Sequence, residues 1–196
     1  MNVRIEYPAE FLAAAHWEDS VLMNCYTVRC EMITGTNDAV EQNVALERLK
    51  WILFQAMQNS VFIDAREKAT IKRLEAAGLR TVPLPAPPVD QVIGMMLYSK
   101  LEAVMEGRIS VMQLSLSSEL GENVIYYQNN MESLGPLAQP GWWQNPEPVC
   151  SDARPTAGKV VDIGASQTWK SLDLHWTQDD DDVKSNVVAF RKDEDK

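Results

Sequence analysis

The sequence predicts an α+β fold in which about three helices pack on one face of an antiparallel or mixed β-sheet, followed by a long, polar, largely disordered tail. Three observations support this prediction. The long helical periodicities all fall within residues 40–107, and segments with the two-residue alternation of strands flank that stretch on both sides. Beyond residue 134 the periodicity ends and prolines become frequent. Strands at both ends of a helical middle are typical of a sheet covered by one layer of helices.

The composition is that of an acidic globular protein. Of the 196 residues 45% are hydrophobic, which is enough for a core, and the net charge is −10. Since proteins hold duplex nucleic acid largely through Lys and Arg on phosphates, this charge disfavours such a partner. Three cysteines are too few for a disulfide scaffold, and no apolar run has the length of a signal peptide or a membrane helix. We therefore expect a cytoplasmic protein without a membrane partner.

The first 34 residues predict two strands. Residues 2–7 alternate between apolar and polar side chains, and Pro8 is predicted to end this strand. Residues 9–17 are rich in alanine and are predicted to form one or two helical turns or a loop. Residues 21–34 are rich in β-forming side chains and predict a longer second strand. The two strands could pair, although their connection is longer than a tight hairpin loop.

A first helix is predicted over residues 39–58, after a turn and helix-start signal at residues 35–38. Its apolar stripe widens towards the end, where Trp51 and Phe54 leave the helix apolar on nearly all sides. Such a surface is either wrapped by the sheet and another helix or buried between subunits. Trp51 and Phe54 are therefore candidate contacts of a homo-oligomer.

A second helix is predicted over residues 65–77, after a short apolar bridge at residues 61–63. Asp64 is its predicted N-cap, because a carboxylate there accepts the free N–H groups of the first turn. Four basic residues on this helix are candidate contacts for nucleic acid: Arg66, Lys68, Lys72 and Arg73. The alternative, which we favour, is an ordinary exposed helix.

The remainder of the core is predicted to be one helix and a hairpin. Residues 79–84 form a short strand and are followed by a stiff proline-rich connector. The third helix covers residues 89–106 and has one apolar face. Residues 108–118 return to the alternation of a strand, and residues 124–128 are predicted to pair with them.

The chain divides into a core, residues 1–134, and an acidic tail, residues 135–196. The tail contains prolines, charged runs and short apolar islands, a composition that predicts a largely disordered segment with linear docking sites. The islands supply the candidate partner-binding residues: Trp142, Trp143, Trp169, Leu172, Leu174 and Trp176. The alternative is that the segment around Trp169 packs back on the core.

The sequence carries no defensible catalytic or metal-binding signature, and we expect no cofactor. The two histidines, His16 and His175, lack further ligands at metal spacing, and no glycine-rich phosphate loop occurs. An enzyme that uses scattered carboxylates, such as Glu102 and Glu106 near the end of the third helix, is a further hypothesis, although acids at helix ends are common.

Part of the chain resembles small uncharacterised proteins of T4-like tailed bacteriophages. The resemblance is carried by Glu41-Gln42-Asn43-Val44-Ala45-Leu46-Glu47-Arg48-Leu49-Lys50, Asn59-Ser60-Val61-Phe62 and Pro88-Val89-Asp90-Gln91-Val92-Ile93-Gly94. It implies a phase in the cytoplasm of a bacterial host and carries no activity with it.

The favoured hypothesis is a non-enzymatic regulatory protein of a phage. Its core would be a scaffold, and its tail would dock a protein partner of replication or transcription. One alternative is a virion component whose tail extends over neighbouring subunits. Another is a single-stranded nucleic-acid-binding protein with an acidic regulatory tail.

Overall fold

The computed structural model describes residues 3–121, 123–127, 135–148 and 167–177, and its centre is a mixed six-stranded sheet in the order β4-β3-β1-β2-β5-β6. The prediction of an α+β fold with a mixed sheet is confirmed. In chain order the elements are β1 (Arg4–Trp17), β2 (Ser20–Thr34), α1 (Ala39–Trp51), a π-helix (Ile52–Met57), β3 (Ser60–Asp64), α2 (Lys68–Ala76), β4 (Arg80–Leu84), α3 (Asp90–Met105), β5 (Ile109–Ser118) and β6 (Val124–Tyr127).

Strand β1 is twice as long as the sequence predicted. It pairs with β2 along its whole length, from Arg4 opposite Ile33 to Trp17 opposite Ser20. The helical turns or loop predicted at residues 9–17 are therefore wrong. The alanines of this stretch have small side chains, and cross-strand pairing together with burial decides their conformation rather than intrinsic preference. Ala13, for example, is fully buried against the main core.

The predicted apolar bridge at residues 61–63 is in fact the buried strand β3. It pairs in parallel with β1 at Val61 and Phe62 and in parallel with β4 along its whole length. All five of its residues are buried. A strand that is covered on both faces shows a continuous apolar run instead of an alternation, which explains why the sequence did not reveal it.

Helices α1 and α3 cover the main face of the sheet and enclose the core. The helix predicted at residues 39–58 is confirmed, and its last six residues form the π-helix, in which the Gln58 N–H donates to the Leu53 carbonyl at 3.1 Å. At the centre of the core three rings pack together: Phe11 stacks on Tyr26 with 5.3 Å between ring centroids, and Phe62 meets both edge-on.

Helix α2 stands apart from this layer. The helix begins beside His16, whose Nδ1 lies 3.1 Å from a carboxylate oxygen of Glu67. The side chain of His16 is on the face of β1 opposite the main core. None of the residues of α2 is fully buried. The predicted N-cap, Asp64, instead accepts hydrogen bonds from the backbone and guanidinium of Arg66, so the helix starts later, at Lys68.

Candidate functional site

A pocket of about 300 Å³ lies at the end of the sheet where the β1–β2 hairpin, the start of α3 and the turn after β5 meet. Its walls are mostly apolar, and four of its lining residues carry polar side chains inside or at the rim. The apolar lining residues are Ala15, Trp17, Leu22, Tyr26, Pro88, Val89 and Leu120, and the polar ones are Asn24, Asp90, Gln91 and Ser118. Pockets with this composition are the usual places where proteins hold small organic molecules.

The carboxylate of Asp90 is the charged group of the pocket. Asp90 is the first residue of α3, where the helix dipole favours a negative charge, and it is 9% exposed. The hydroxyl of Ser118 donates to it, with its Oγ 2.9 Å from Oδ2 and 3.1 Å from Oδ1. The carboxylate is therefore held in a fixed orientation at the pocket wall.

Gly121 makes room for that carboxylate. A Cβ atom built on Gly121 would overlap both the carboxyl group of Asp90 and the hydroxyl of Ser118. Any other residue at this position would have to displace Asp90 from the wall. The turn after β5 is thus shaped around the carboxylate, although the sequence identifies it only as a turn.

The hydroxyl of Tyr26 is neutral at physiological pH. Burial, and after it the negative charge of Asp90, raise the pKa of Tyr26 to about 12, and a hydrogen bond with Asn24 acts in the opposite direction. Asn24 is itself fixed, because its Oδ1 accepts the backbone N–H of Glu119 at 3.0 Å. The inner wall therefore presents an uncharged phenol beside a carboxylate.

This pKa predicts a loss of stability in alkali. An unfolded tyrosine ionises near pH 10 and the folded Tyr26 near 12, so the unfolded state releases its proton first and stability falls as pH rises between these values. Two pH units correspond to at most about 2–3 kcal/mol. Urea midpoints from pH 8 to 11.5 should fall less steeply for Tyr26→Phe than for the wild type. Equal slopes would contradict a buried neutral phenol.

A second cluster, at the far end of α3, joins the tail to the core. The guanidinium of Arg48 is 2% exposed and lies between two indole rings, 3.7 Å from the centroid of Trp176 and 4.7 Å from that of Trp169. Arg48 donates to the carbonyl of Leu174 at 2.7 Å and to the carboxylate of Glu106 at 2.8 Å. Burial lowers the pKa of Arg48, and Glu106 opposes this.

A buried lysine holds the preceding tail segment. Lys100 is 1% exposed, and its Nζ donates to the carbonyls of Trp142, Asn145 and Glu147 at 3.3, 2.7 and 2.6 Å. The indole of Trp142 donates to the carbonyl of Pro83 at 2.9 Å, on β4. Residues 142–147 are therefore fastened to both α3 and the sheet.

These contacts correct the prediction that the tail islands dock an outside partner. Trp143, Trp169 and Trp176 are buried in the main core cluster. The other three predicted docking residues are partly buried against the same cluster: Trp142, Leu172 and Leu174. The physical reason is that the core supplies cations, those of Arg48 and Lys100, that lie over these indole rings, and a carbonyl, that of Pro83, that accepts the Trp142 N–H. The predicted disorder of the tail otherwise falls on residues outside those described.

The two candidate oligomer contacts have different environments. The ring of Trp51 meets Trp169 edge-on, with 5.6 Å between centroids, so the tail covers this end of α1. Phe54 is 37% exposed. A homo-oligomer stays a prediction.

The four basic residues predicted as nucleic-acid contacts lie on the exposed surface of the α2 region. A contact with nucleic acid there stays a prediction. These residues are Arg66, Lys68, Lys72 and Arg73.

The two carboxylates at the end of α3 have structural partners. Glu102 accepts the backbone N–H of Val111, and Tyr98 donates to the Val111 carbonyl at 3.0 Å, next to the irregularity in the β2–β5 pairing. Burial raises the pKa of Glu102. Glu106 pairs with Arg48. Both acids are thus engaged in holding strand β5 and the tail.

Two other site types are not found in the part of the chain that the structure covers. Within the described ranges no three His, Cys, Asp or Glu side chains come together as a metal site would require. The helices described here are all too short or too polar for a membrane crossing.

Comparison with known proteins relates the chain to others by fold. No protein-family model matches it, and no curated protein does. An uncharacterised protein from Wolinella succinogenes matches with a TM-score of 0.50 at 10% identity, covering 65% of this chain and 99% of that one. The 6-pyruvoyl tetrahydropterin synthases of Plasmodium falciparum and Plasmodium vivax match with a TM-score of 0.44 each, at 11% and 10% identity, and cover 65% of this chain and 98% of theirs. At these identities the likeness concerns the fold alone.

The hypothesis of a non-enzymatic phage regulatory protein whose tail docks a partner is corrected by the position of the tail. The tail that was expected to reach a partner lies on its own core where the structure describes it. The virion alternative needed the same extended tail and is not proposed. The acidic end of the tail, on which the single-strand-binding alternative depends, falls within residues 178–196, outside the described residues, and that alternative is not proposed either.

Proposed function

We propose that the protein binds a small organic molecule in the pocket at the end of the sheet. The observation that supports this is the carboxylate of Asp90, set in a mostly apolar wall and kept there by Ser118 and Gly121. Placing a charge in such a wall is costly, and proteins commonly accept this cost at functional sites. We assign no reaction to the pocket.

The chemistry of the wall favours a flat ligand with N–H donors. The exposed side chains of Trp17 and Leu22 offer apolar surface for a planar molecule. A carboxylate accepts several hydrogen bonds at once, so Asp90 can hold Ser118 and a ligand donor together. Hydrogen bonds to a charged partner are about twice as strong as neutral ones, which favours an amidinium or a protonated heterocycle.

A titration with benzamidine tests this proposal. Benzamidine carries a flat ring and a cationic pair of N–H donors, and benzamide is its nearly isosteric neutral counterpart. In amide-resolved NMR spectra of the full chain, benzamidine should shift the signals of Asp90, Ser118 and Gly121 and should bind more tightly than benzamide.

Substitution of the carboxylate completes the test. Asp90→Asn should weaken benzamidine binding about 10- to 100-fold, the equivalent of the roughly 1.5–3 kcal/mol carried by a charge-assisted hydrogen bond. Glu119→Gln removes an equal charge from an exposed position in the same turn, outside the lining, and should leave the affinity unchanged. Equal binding to Asp90→Asn and the wild type, or shifts confined to another surface, would overturn the proposal.

A further inference from the structure

Residues 167–177, which we call the strap, form a compact unit by themselves. The N–H of Leu174 donates to the carbonyl of Trp169 at 2.8 Å, and the N–H of Leu172 donates to that of Thr168 at 3.1 Å. Thr168 and Ser171 also exchange hydrogen bonds between each side chain and the other's N–H, at 3.1 and 2.9 Å. The strap joins none of the six strands of the sheet. Its shape therefore arises from local bonds.

The strap contacts the core mainly through side chains. The receiving surface, here the Arg48 groove, consists of Arg48, Trp51, Glu106, Arg108 and the carbonyl of Pro146. Arg48 lies between the two strap indoles, and Arg108 lies over the second one, 4.3 Å from the centroid of Trp176. The first indole, that of Trp169, donates to the Pro146 carbonyl at 2.6 Å.

These two features resemble a receptor and a ligand more than two parts of one core. A short segment that is already folded loses little conformational entropy when it docks, which favours binding even without a covalent connection. Two aromatic anchors around a desolvated guanidinium are also the kind of contact that concentrates binding energy in a few residues.

We propose that the strap is a separable ligand of the Arg48 groove, held in cis in this chain and exchangeable with the same segment of a second copy. Its release uncovers an aromatic and cationic surface on α1 and at the end of α3. Tethering within one chain gives an effective concentration on the order of millimolar, so the strap of the same chain excludes a dilute competitor. This inference does not depend on the ligand pocket.

A synthetic peptide of residues 167–177 tests the separability. The receiving protein is the full chain with Trp169→Ala and Trp176→Ala, in which the groove has lost its own anchors. Fluorescence anisotropy should show binding of the labelled peptide to this variant and at least ten-fold weaker binding to the wild type. A peptide in which both tryptophans are alanine should not bind either protein. No binding to the variant, or equal binding to variant and wild type, would overturn the proposal.

Hydrogen exchange of the wild-type chain provides a test that needs no substitution. If the strap opens reversibly, its amides at Leu172 and Leu174 exchange through that opening. An excess of the peptide occupies the opened groove, so it should raise these exchange rates at least three-fold and leave those of β2 unchanged. If the peptide leaves the hydrogen-exchange rates at Leu172 and Leu174 unchanged, the strap is not exchangeable with a second copy. This outcome contradicts the proposal whether or not the double variant folds.

Discussion

Replacing Arg48 by methionine should lower the free energy of unfolding by about 3 kcal/mol, since removing one member of a buried ion pair costs about 3–5 kcal/mol. We take the lower end because the side chain of Glu106 is 34% exposed and regains water. The change also leaves the carbonyl of Leu174 without its guanidinium donor and removes the cation between Trp169 and Trp176. Urea denaturation followed by circular dichroism measures the effect.

A neighbouring cation on the same helix provides the control. Lys50 pairs with Glu47 at the surface, with side chains 41% and 53% exposed, and such pairs contribute about 0–1 kcal/mol. Lys50→Met should therefore change stability by less than about 1 kcal/mol. Arg48→Met should in addition shift the tryptophan emission to longer wavelengths, because two indoles gain access to water. If both substitutions have the same small effect, Arg48 does not fasten the tail.

Replacing Phe62 by alanine should cost about 3–5 kcal/mol, the usual range for truncating a buried phenylalanine. Phe62 is fully buried at the centre of β3 and meets the rings of Phe11 and Tyr26. The cavity left behind is enclosed by β1, β2 and the helical layer, so its walls have little freedom to collapse. Thermal or urea unfolding gives the magnitude.

Phe54 is the matched control for this substitution. The chemical change from phenylalanine to alanine is the same, but Phe54 is 37% exposed at the surface of the π-helix. Its removal should cost roughly 1 kcal/mol, since less apolar surface returns to water. A cost for Phe62→Ala no greater than that for Phe54→Ala would contradict the position of β3 in the buried part of the sheet.

Periodicity predicted those elements whose apolar residues recur at a regular spacing. Strand β2, helix α1 and helix α3 appear within a few residues of the predicted bounds for this reason. In the structure α3 is buried on nearly all sides. Strand β3 was missed since burial on both faces removes the alternation. The second half of β1 was missed because alanine carries little information about strand or helix, and only its partner strand decides.

The sequence contains a pattern that indicates the two buried cations, Arg48 and Lys100, but we did not predict them from it. Arg48 lies one helical turn from Ala45 and Ile52, and Lys100 one turn from Met96 and Val104, so each interrupts an apolar stripe. A long cation at such a position needs acceptors that the helix itself lacks. The tail supplies them as carbonyls and indoles, and so the tryptophans predicted to bind a partner bind these cations.

No sequence pattern predicted the pocket. Asp90 has the position of an ordinary acidic residue in the first turn of a helix, and Gly121 that of an ordinary turn glycine. What makes them a site is that α3 and the turn after β5 meet at the tip of the β1–β2 hairpin. The sequence placed that hairpin wrongly, because residues 9–17 were not predicted as strand, and so it offered no means of bringing these residues together.

A crystal of the protein soaked with benzamidine is the most direct test of the claim that the Asp90 pocket is a ligand site. We predict that the ring lies against Trp17 and that an amidinium nitrogen lies within about 3 Å of an oxygen of Asp90. A pocket that stays empty while benzamidine occupies another surface, or a ring bound without contact to Asp90, would contradict the claim.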